Sequence, residues 1–195
     1  MELRPAFDAL FAIDDAMGEV VARATEPALA AIKLAWWREQ LEGLDDGKVP
    51  AEPRLQAAAD ELLTRRISGA RLAELEDGWI ALLEEKTDPE RAVTRGATLF
   101  DMASGLLGAT DPMIETAGRL YILERIARLG MAKLTGVEVD LRHLAGHRFG
   151  VRLRPLTALA ALAARDAKQA RLIEPEGTPG RALALLKHRF TGRII

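Results

Sequence analysis

The sequence contains no cysteine, few aromatic residues and no long apolar run. Without cysteine, disulfides, thiolate nucleophiles and cysteine-based zinc sites are excluded. Aromatic residues make up only 5% of the 195 residues, so alanine and leucine must fill most of the core, which favours helices over sheets. The longest apolar run, 155–164, is too short to span a bilayer, and the N-terminus lacks the pattern of a signal peptide. We therefore expect a cytoplasmic protein without a transmembrane segment, with peripheral membrane contact left open.

Charge is distributed unevenly along the chain. The net charge is −2, but residues 1–111 carry 12 basic and 22 acidic side chains, against 15 and 7 in residues 112–195. Acidic and basic helices can face one another or simply be solvated. The alternative is a basic surface that meets a diphosphate, an anionic lipid or an acidic partner. No nucleic acid is expected as a partner, because the chain is slightly acidic overall and shows no recognition motif.

Helix signals recur along the whole chain. Leu55, Ala58, Ala59, Leu62 and Leu63 have the spacing of one buried helical stripe. Acid–proline pairs and a serine cap mark further helix starts. We predict one domain, 1–195, folded as an all-α bundle of about seven or eight helices. The predicted helices cover about 5–23, 27–44, 53–63, 68–83, 88–108, 111–133, 155–171 and 181–189, with a loop or a short helix over 135–150.

Two parts of the chain resemble the squalene/phytoene synthase family. Residues 6–12 (AFDALFA) and 34–41 (LAWWREQL) are similar to the family's first helix and to its tryptophan-rich helix. Residues 118–128 (GRLYILERIAR) are similar to a second family helix that carries an Asn, an Arg and an Asp. The resemblance covers most of residues 5–134, and more loosely 155–192. It implies an isoprenoid-synthase-like fold.

The resemblance also implies a chemistry, the head-to-head condensation of prenyl diphosphates. In the family, carboxylates on two helices hold Mg²⁺ across an apolar cavity, where the metal stabilises the departing diphosphate. An ungapped alignment places the first aspartate box on Gly18, Glu19 and Ala22, so most of this box is missing. Asp14 and Asp15 lie one turn earlier, and Asp15 shares a helix face with Glu19. Asp14, Asp15 and Glu19 are therefore the candidate ligands of a shifted metal site.

The helix at 118–128 also lacks residues with which the family binds metal. Arg125 and Leu129 stand where the family has its Asn and its terminal Asp, while Arg128 matches the family's Arg. The resemblance makes Arg125 and Arg128 candidates for binding a diphosphate, but cations in these places would repel Mg²⁺. Mg²⁺ is the expected cofactor only if the protein is catalytically active.

Four aromatic residues are candidates for lining a pocket or contacting a partner: Phe11, Trp36, Trp37 and Tyr121. Adjacent residues point about 100° apart on a helix, so at least one of the two tryptophans is expected in the core. His143 and His147 have the spacing of a zinc pair, but a polar surface or core role is favoured because Gly146 weakens the helix. A basic cluster offers either phosphate contacts or a solvated face: Arg148, Arg152, Arg154, Lys187, His188, Arg189 and Arg193.

Three hypotheses of function follow, and no catalytic residue is assigned. The first is a non-catalytic family member that keeps an apolar cavity or a partner surface; it resembles the branch that includes a mitochondrial respiratory complex I assembly factor. The second is an active Mg²⁺-dependent farnesyl or geranylgeranyl diphosphate transferase of isoprenoid or carotenoid biosynthesis. The third is a helical protein-interaction module without a ligand, whose interior is filled by side chains. The expected partner is an isoprenoid diphosphate or another protein.

Overall fold

The computed structural model describes residues 2–85, 88–128, 130, 137–169, 174–175 and 177–194. Every regular element in these residues is a helix, which confirms the all-α class. The chain divides into two compact units, 1–95 and 96–195, and the boundary falls within one helix, α6 (Pro89–Leu106). The assignment of the whole chain to a single domain stays a prediction.

Three helices of the first unit have a proline in their first turn. Proline suits the first helical turn because its missing N–H would have no helical partner there and its φ angle is already helical. Pro5, Pro27 and Pro53 each occupy one of the first two positions of a helix. In chain order the unit contains α1 (Arg4–Ala22), α2 (Pro27–Leu44), α3 (Pro53–Glu61), a 3-10 turn (Leu63–Arg65), α4 (Gly69–Ala73), α5 (Leu75–Ile80) and the first residues of α6.

Helix α1 contacts most of the other helices of this unit. It packs against α2, α3 and α5, while α2 also packs against α4 and α5. The apolar stripe predicted for the third helix is confirmed at Leu55, Ala58 and Leu62, which are fully buried. The remaining core is formed largely by leucines, with a few larger side chains among them: Leu10, Ile13, Met17, Leu34, Leu41, Leu72 and Trp79.

The second unit contains the rest of α6, followed by α7 (Ile114–Arg128), α8 (Val137–Leu144), α9 (Arg154–Gln169) and α10 (Pro179–Thr191). Helix α9 packs against α7 and α10, and α7 also packs against α8. Helices α6 and α7 approach each other closely at two glycines. A Cβ atom on Gly96 would lie 2.2 Å from the Gly118 carbonyl oxygen, and one on Gly118 would lie 2.0 Å from the Gly96 oxygen. Only glycine fits this crossing.

Most of the predicted helix boundaries are confirmed to within two residues, but three details are wrong. The cap of α2 is Glu26 rather than Thr25, because the residue before a proline is held in the extended conformation that a cap requires. The helix predicted over 68–83 is interrupted after Ala73, although its cap Ser68 is confirmed. Helix α7 begins at Ile114, since Asp111 accepts a hydrogen bond from Met113 in a preceding turn.

The ambiguous stretch 135–150 contains a short helix, α8. The helix ends predicted at Lys133 and Arg171 lie outside the described residues, as does Leu129. Across the part of the chain that is described, no helix is both long and apolar enough to cross a membrane.

Candidate functional site

A carboxylate lies in the core of the first unit. It belongs to Asp14, one of the predicted metal ligands, which is 1% exposed. The residue is buried because α1 turns Leu10, Ile13 and Met17 to the interior at helical spacing, and Asp14 falls on the same face. A charged group in such a place is stable only when opposite charge and hydrogen bonds compensate for the lost water.

Arg95 and Trp79 supply that compensation. Arg95 Nη1 lies 2.6 Å from Asp14 Oδ1, and the arginine side chain is itself fully buried. Trp79 Nε1 donates a hydrogen bond to the same oxygen at 2.9 Å. The guanidinium carbon of Arg95 lies 3.4 Å from the centroid of the Trp79 ring, so the ring face also stabilises the cation. We call these three residues the Asp14 cluster.

Two glycines make room for the cluster. Gly18 follows Asp14 by one helical turn, and a Cβ atom there would lie 2.8 Å from two atoms of the Trp79 ring. A Cβ atom on Gly78 would lie 2.5 Å from the Arg95 Cβ. Real Cβ atoms do not approach other atoms so closely, so the ring and the arginine fit because both positions lack a side chain.

The other two predicted metal ligands lie in more exposed surroundings. Asp15 is half-buried, whereas Glu19 is exposed and its Oε1 lies 3.2 Å from Arg54 Nη2. In the residues that the structure describes, no group of three or more metal-ligating side chains is arranged to hold an ion. The assignment of Asp14, Asp15 and Glu19 to a magnesium site stays a prediction, and a metal at Asp14 would compete with Arg95 for its carboxylate.

Trp36 and Trp37 lie on different faces of α2. Trp37 is buried, which confirms that one of the pair belongs to the core, while Trp36 is 42% exposed. Their rings meet edge to face with centroids 5.3 Å apart. Trp37 also lines a groove of about 260 Å³ between α1 and α2, together with Lys33 and Arg54.

Trp36 belongs to an exposed apolar face of α2 that the sequence analysis missed. Leu29, Ile32 and Trp36 are spaced three and four residues apart, and all three are exposed. The same spacing ordinarily marks a buried stripe. The sequence therefore shows that these apolar residues share one helix face, but it does not show that this face is exposed. Phe11, the other aromatic candidate in this unit, is half-buried and stacks on Phe7 with ring centroids 6.5 Å apart.

The second unit brings three of the predicted residues together. Tyr121, Arg125 and Arg128 of α7 line a cavity of about 360 Å³ together with residues of α9 and α10. Its other walls combine aliphatic side chains with one further cation: Leu159, Leu162, Leu185 and Arg181. The predicted diphosphate-binding arginines and the predicted pocket tyrosine therefore share one cavity.

Carboxylates already compensate two of the arginines at this cavity. Arg128 Nη2 lies 2.6 Å from Asp166 Oδ2, and Arg128 Nε binds Glu124 one turn earlier. Asp166 also binds Arg181. The spacing of Glu124 and Arg128 is readable from the sequence as a helical ion pair. Asp166 is 38 residues away from Arg128, and no local signal connects the two.

Glu124, which lines this cavity, has a raised pKa. Burial is the main cause that raises the pKa of the Glu124 carboxyl above its ordinary value. The hydrogen bond and the charge of Arg128 act in the opposite direction, and the negative charge of Asp166 adds to the rise. Glu124 and Asp166 bind the same arginine through different nitrogens.

The histidines have different surroundings. His143 is exposed at the end of α8, whereas His147 lies beyond that helix with its Nε2 2.8 Å from Asp111 Oδ1. His188 is buried, and its two ring nitrogens lie 2.9 Å from the Thr157 hydroxyl and 2.9 Å from the Arg193 carbonyl oxygen. Burial is the main cause that lowers the pKa of His188.

The predicted basic cluster is therefore divided. His188 is in the interior of the second unit, and Arg154 donates hydrogen bonds to the backbone oxygens of Arg189 and Phe190 at 2.8 and 3.2 Å. The other members of the cluster are exposed: Arg148, Arg152, Lys187, Arg189 and Arg193.

The fold and these clusters define an all-α protein in which buried carboxylates are held by arginines. Comparisons with models of protein families, with curated proteins and with solved structures found no match to this chain.

Proposed function

We propose that this chain is a squalene/phytoene synthase-like protein that does not catalyse prenyl transfer and instead acts by binding a partner. The observation that carries the proposal is the Asp14 cluster. One member of the acidic pair that could hold a shifted metal is paired in the core with Arg95, at 2.6 Å. The resemblance to the branch that includes a respiratory complex I assembly factor points in the same direction.

The physical reason is competition for the carboxylate. Mg²⁺ requires hard oxygen ligands in nearly octahedral geometry and gives up its water reluctantly. A metal at Asp14 would have to displace Arg95 or lie next to its positive charge. Removing one partner of a buried ion pair costs about 3–5 kcal/mol, and this cost would be subtracted from the affinity for the metal.

The cavity of the second unit is consistent with the same conclusion. Glu124, which lines the cavity, and Asp166 both bind Arg128, so their charge is already compensated by a side chain. A divalent cation entering there would also meet the charges of Arg125 and Arg181. This environment favours an anion over a metal ion.

The surface that supports partner binding is the exposed face of α2, formed by Leu29, Ile32 and Trp36. Large contiguous exposed apolar patches mark interaction sites on proteins, and these three side chains form one exposed stripe of the helix. Tryptophan is enriched among the residues that contribute most to the free energy of protein–protein binding. We assign this face to a protein partner.

The proposal is tested with the purified 195-residue chain. We expect no squalene-type or phytoene-type product from farnesyl or geranylgeranyl diphosphate with Mg²⁺, while an active family member forms product in a parallel reaction. We also expect that Mg²⁺ leaves the thermal midpoint unchanged, because a ligand stabilises a protein only when it binds the folded state. Magnesium-dependent product formation overturns the proposal.

One observation favours the transferase hypothesis as a second candidate. Tyr121, Arg125 and Arg128 line a cavity of about 360 Å³, a volume within the range of small-molecule sites. In this case Asp15, together with Asp14 and Glu19, holds Mg²⁺, and Asp15→Ala abolishes turnover. Asp8→Ala, an exposed change on the same helix, is the matched control and leaves turnover intact. Turnover that is absent from the start, or that survives Asp15→Ala, excludes this candidate.

The third hypothesis, a ligand-free interaction module, is supported in the first unit by its filled interior. Leu10, Met17 and Trp79 are fully buried around the position of Asp14. This hypothesis requires that the cavity at Tyr121 bind nothing, whereas the proposal allows a ligand there. Binding of a radiolabelled prenyl diphosphate in equilibrium dialysis excludes the ligand-free module.

A further inference from the structure

Helix α10 exposes its apolar residues and buries its polar ones. Leu183, Leu186 and Phe190 follow one another at helical spacing and face the solvent; Leu183 is 67% and Phe190 70% exposed. Arg181 and His188, on the opposite side of the helix, are buried. An amphipathic helix on the surface of a soluble protein ordinarily has the reverse arrangement.

Specific bonds hold the helix in this orientation. Arg181 binds a carboxylate of α9, and His188 bonds to the Thr157 hydroxyl at 2.9 Å. Arg154 Nη1 donates to a backbone oxygen in the last turn of α10 at 2.8 Å. Rotating the helix to bury its leucines would break these bonds and leave polar groups in the interior unsatisfied, at a cost of about 1–3 kcal/mol each. The apolar face is therefore a stable outer surface.

This surface continues beyond α10. Val151, in the turn before α9, is 73% exposed. Together with Pro155, Ala158 and Phe190 it lines a groove of about 520 Å³. The second unit thus presents a ridge of aliphatic and aromatic side chains beside a groove, and we call the two together the α10 face.

Cations border the α10 face. Lys187, Arg189 and Arg193 are exposed, and in the described part of the chain none of them is paired with an acidic side chain. The sequence from 177 to 195 contains four basic residues and no Asp or Glu. It also contains no Asn, Gln, Ser or Tyr, so the exposed polar side chains of this segment are mainly cationic. Its chemistry fits a negative surface that imposes no fixed geometry.

We propose that the α10 face docks on the surface of a bilayer that contains anionic phospholipids. Leu183, Leu186 and Phe190 enter the boundary between headgroups and acyl chains, where apolar side chains of surface helices are buried. The three exposed cations lie at the level of the lipid phosphates, where each Lys or Arg is attracted to the negative surface potential. This inference does not depend on the proposed function, because it concerns neither the Asp14 cluster nor the face of α2.

The test is sedimentation of the 195-residue chain with two kinds of vesicle, one of phosphatidylcholine alone and one of phosphatidylcholine with phosphatidylserine. We expect binding to the phosphatidylserine vesicles that is stronger by about tenfold or more, and that weakens as salt is added. Phe190→Ser should reduce the partition coefficient by about tenfold or more, since it removes the largest exposed apolar side chain of the face. Changing Lys187, Arg189 and Arg193 together to Gln should abolish the preference for phosphatidylserine.

Val49→Ser is the matched control, because Val49 is also an exposed aliphatic residue but lies in the acidic half of the chain, outside both the α10 face and the face of α2. It should bind vesicles like the unchanged protein. Circular dichroism establishes whether each variant is folded. If a variant does not fold, the salt dependence of vesicle binding by the unchanged protein still tests the proposal. Three results overturn the proposal: no vesicle binding, equal binding of Phe190→Ser and the unchanged chain, or binding of an acidic peptide at this face without binding of vesicles.

Discussion

Neutralising Asp14 should destabilise the protein strongly, and the size of the effect follows from its surroundings. Asp14→Asn keeps the shape of the side chain and one oxygen that can accept the Trp79 hydrogen bond, but it removes the charge opposite Arg95. The arginine is fully buried and 2.6 Å from Asp14 Oδ1, so its charge loses the carboxylate that compensates it in the core. Breaking a buried pair in this way costs about 3–5 kcal/mol.

The measurement is urea unfolding followed by circular dichroism, with the free energy extrapolated to water. Asp8→Asn is the matched control, because Asp8 lies on the same helix in an exposed pair, with its Oδ2 3.7 Å from Arg4 Nε. Exposed pairs contribute at most about 1 kcal/mol, so this change should be nearly neutral. The double variant Asp14→Leu with Arg95→Met removes both charges and should be more stable than Asp14→Asn, because a buried pair is often replaceable by apolar residues of similar volume.

The outcome separates a structural ion pair from a metal site. If Asp14 were an unpaired ligand waiting for Mg²⁺, its neutralisation would relieve repulsion from Asp15 and leave the stability unchanged or higher. A loss below about 1 kcal/mol, the level expected of an exposed pair, would therefore refute the reasoning. If Asp14→Asn is too unstable to fold, the double variant still provides the test, because the reasoning requires that the double variant fold.

Two further predictions concern the second unit. Because burial lowers the pKa of His188 below its ordinary value of 6.5, the unfolded chain binds a proton first as the pH falls; the stability is full above about pH 6.5 and declines below it. Urea titrations at several pH values should show this decline and its loss in His188→Gln, and an identical decline in that variant would contradict it. Gly118→Ala should lower the free energy of unfolding by about 1–3 kcal/mol through overpacking, since the new Cβ would lie 2.0 Å from the Gly96 oxygen. The control Gly105→Ala, with nothing within 4 Å on the exposed side of α6, should instead gain about 0.5–1 kcal/mol; equal effects of the two changes would show that the helices do not cross there.

The local features of the fold were predictable because they depend on neighbours in sequence. Pro27 and Pro53 start helices, Ser68 caps one, and the stripe from Leu55 to Leu62 faces the interior. Each of these follows from backbone geometry or helical periodicity within a few residues. The interruption after Ala73 was missed because periodicity continues through it.

The contacts of the candidate site were not predictable in the same way. Asp14 binds residues 65 and 81 positions away, and a single sequence does not state which helices meet. One signal could have been used: Arg95 falls at the same helical spacing as the buried Ala92 and Leu99. A charged residue within an apolar stripe indicates a buried partner of opposite charge, although it does not identify the partner.

Helix α10 shows why an apolar stripe alone does not give the direction of a helix face. Periodicity favours burial of Leu183, Leu186 and Phe190, yet the structure buries Arg181 and His188. The difference comes from α9, which offers a carboxylate and a hydroxyl to these two side chains. A buried polar side with partners can outweigh an apolar side, because unsatisfied polar groups cost more than exposed leucines.

In both units arginines compensate carboxylates with little access to water, and this arrangement affects whether those carboxylates can bind a metal. In the first, Arg95 compensates Asp14; in the second, Arg128 and Arg181 compensate Asp166. An arginine in this position does for the folded protein what a bound cation would do, since it stabilises an ionised carboxylate away from water. The difference is that the arginine is covalently part of the chain and always charged, so the carboxylate is satisfied before any metal arrives. A transferase must keep its carboxylates available in the resting state and accept their mutual repulsion. The non-catalytic and the transferase hypotheses therefore differ in what compensates Asp14 in the folded state, Arg95 or Mg²⁺. The free energy of unfolding measured without metal distinguishes the two.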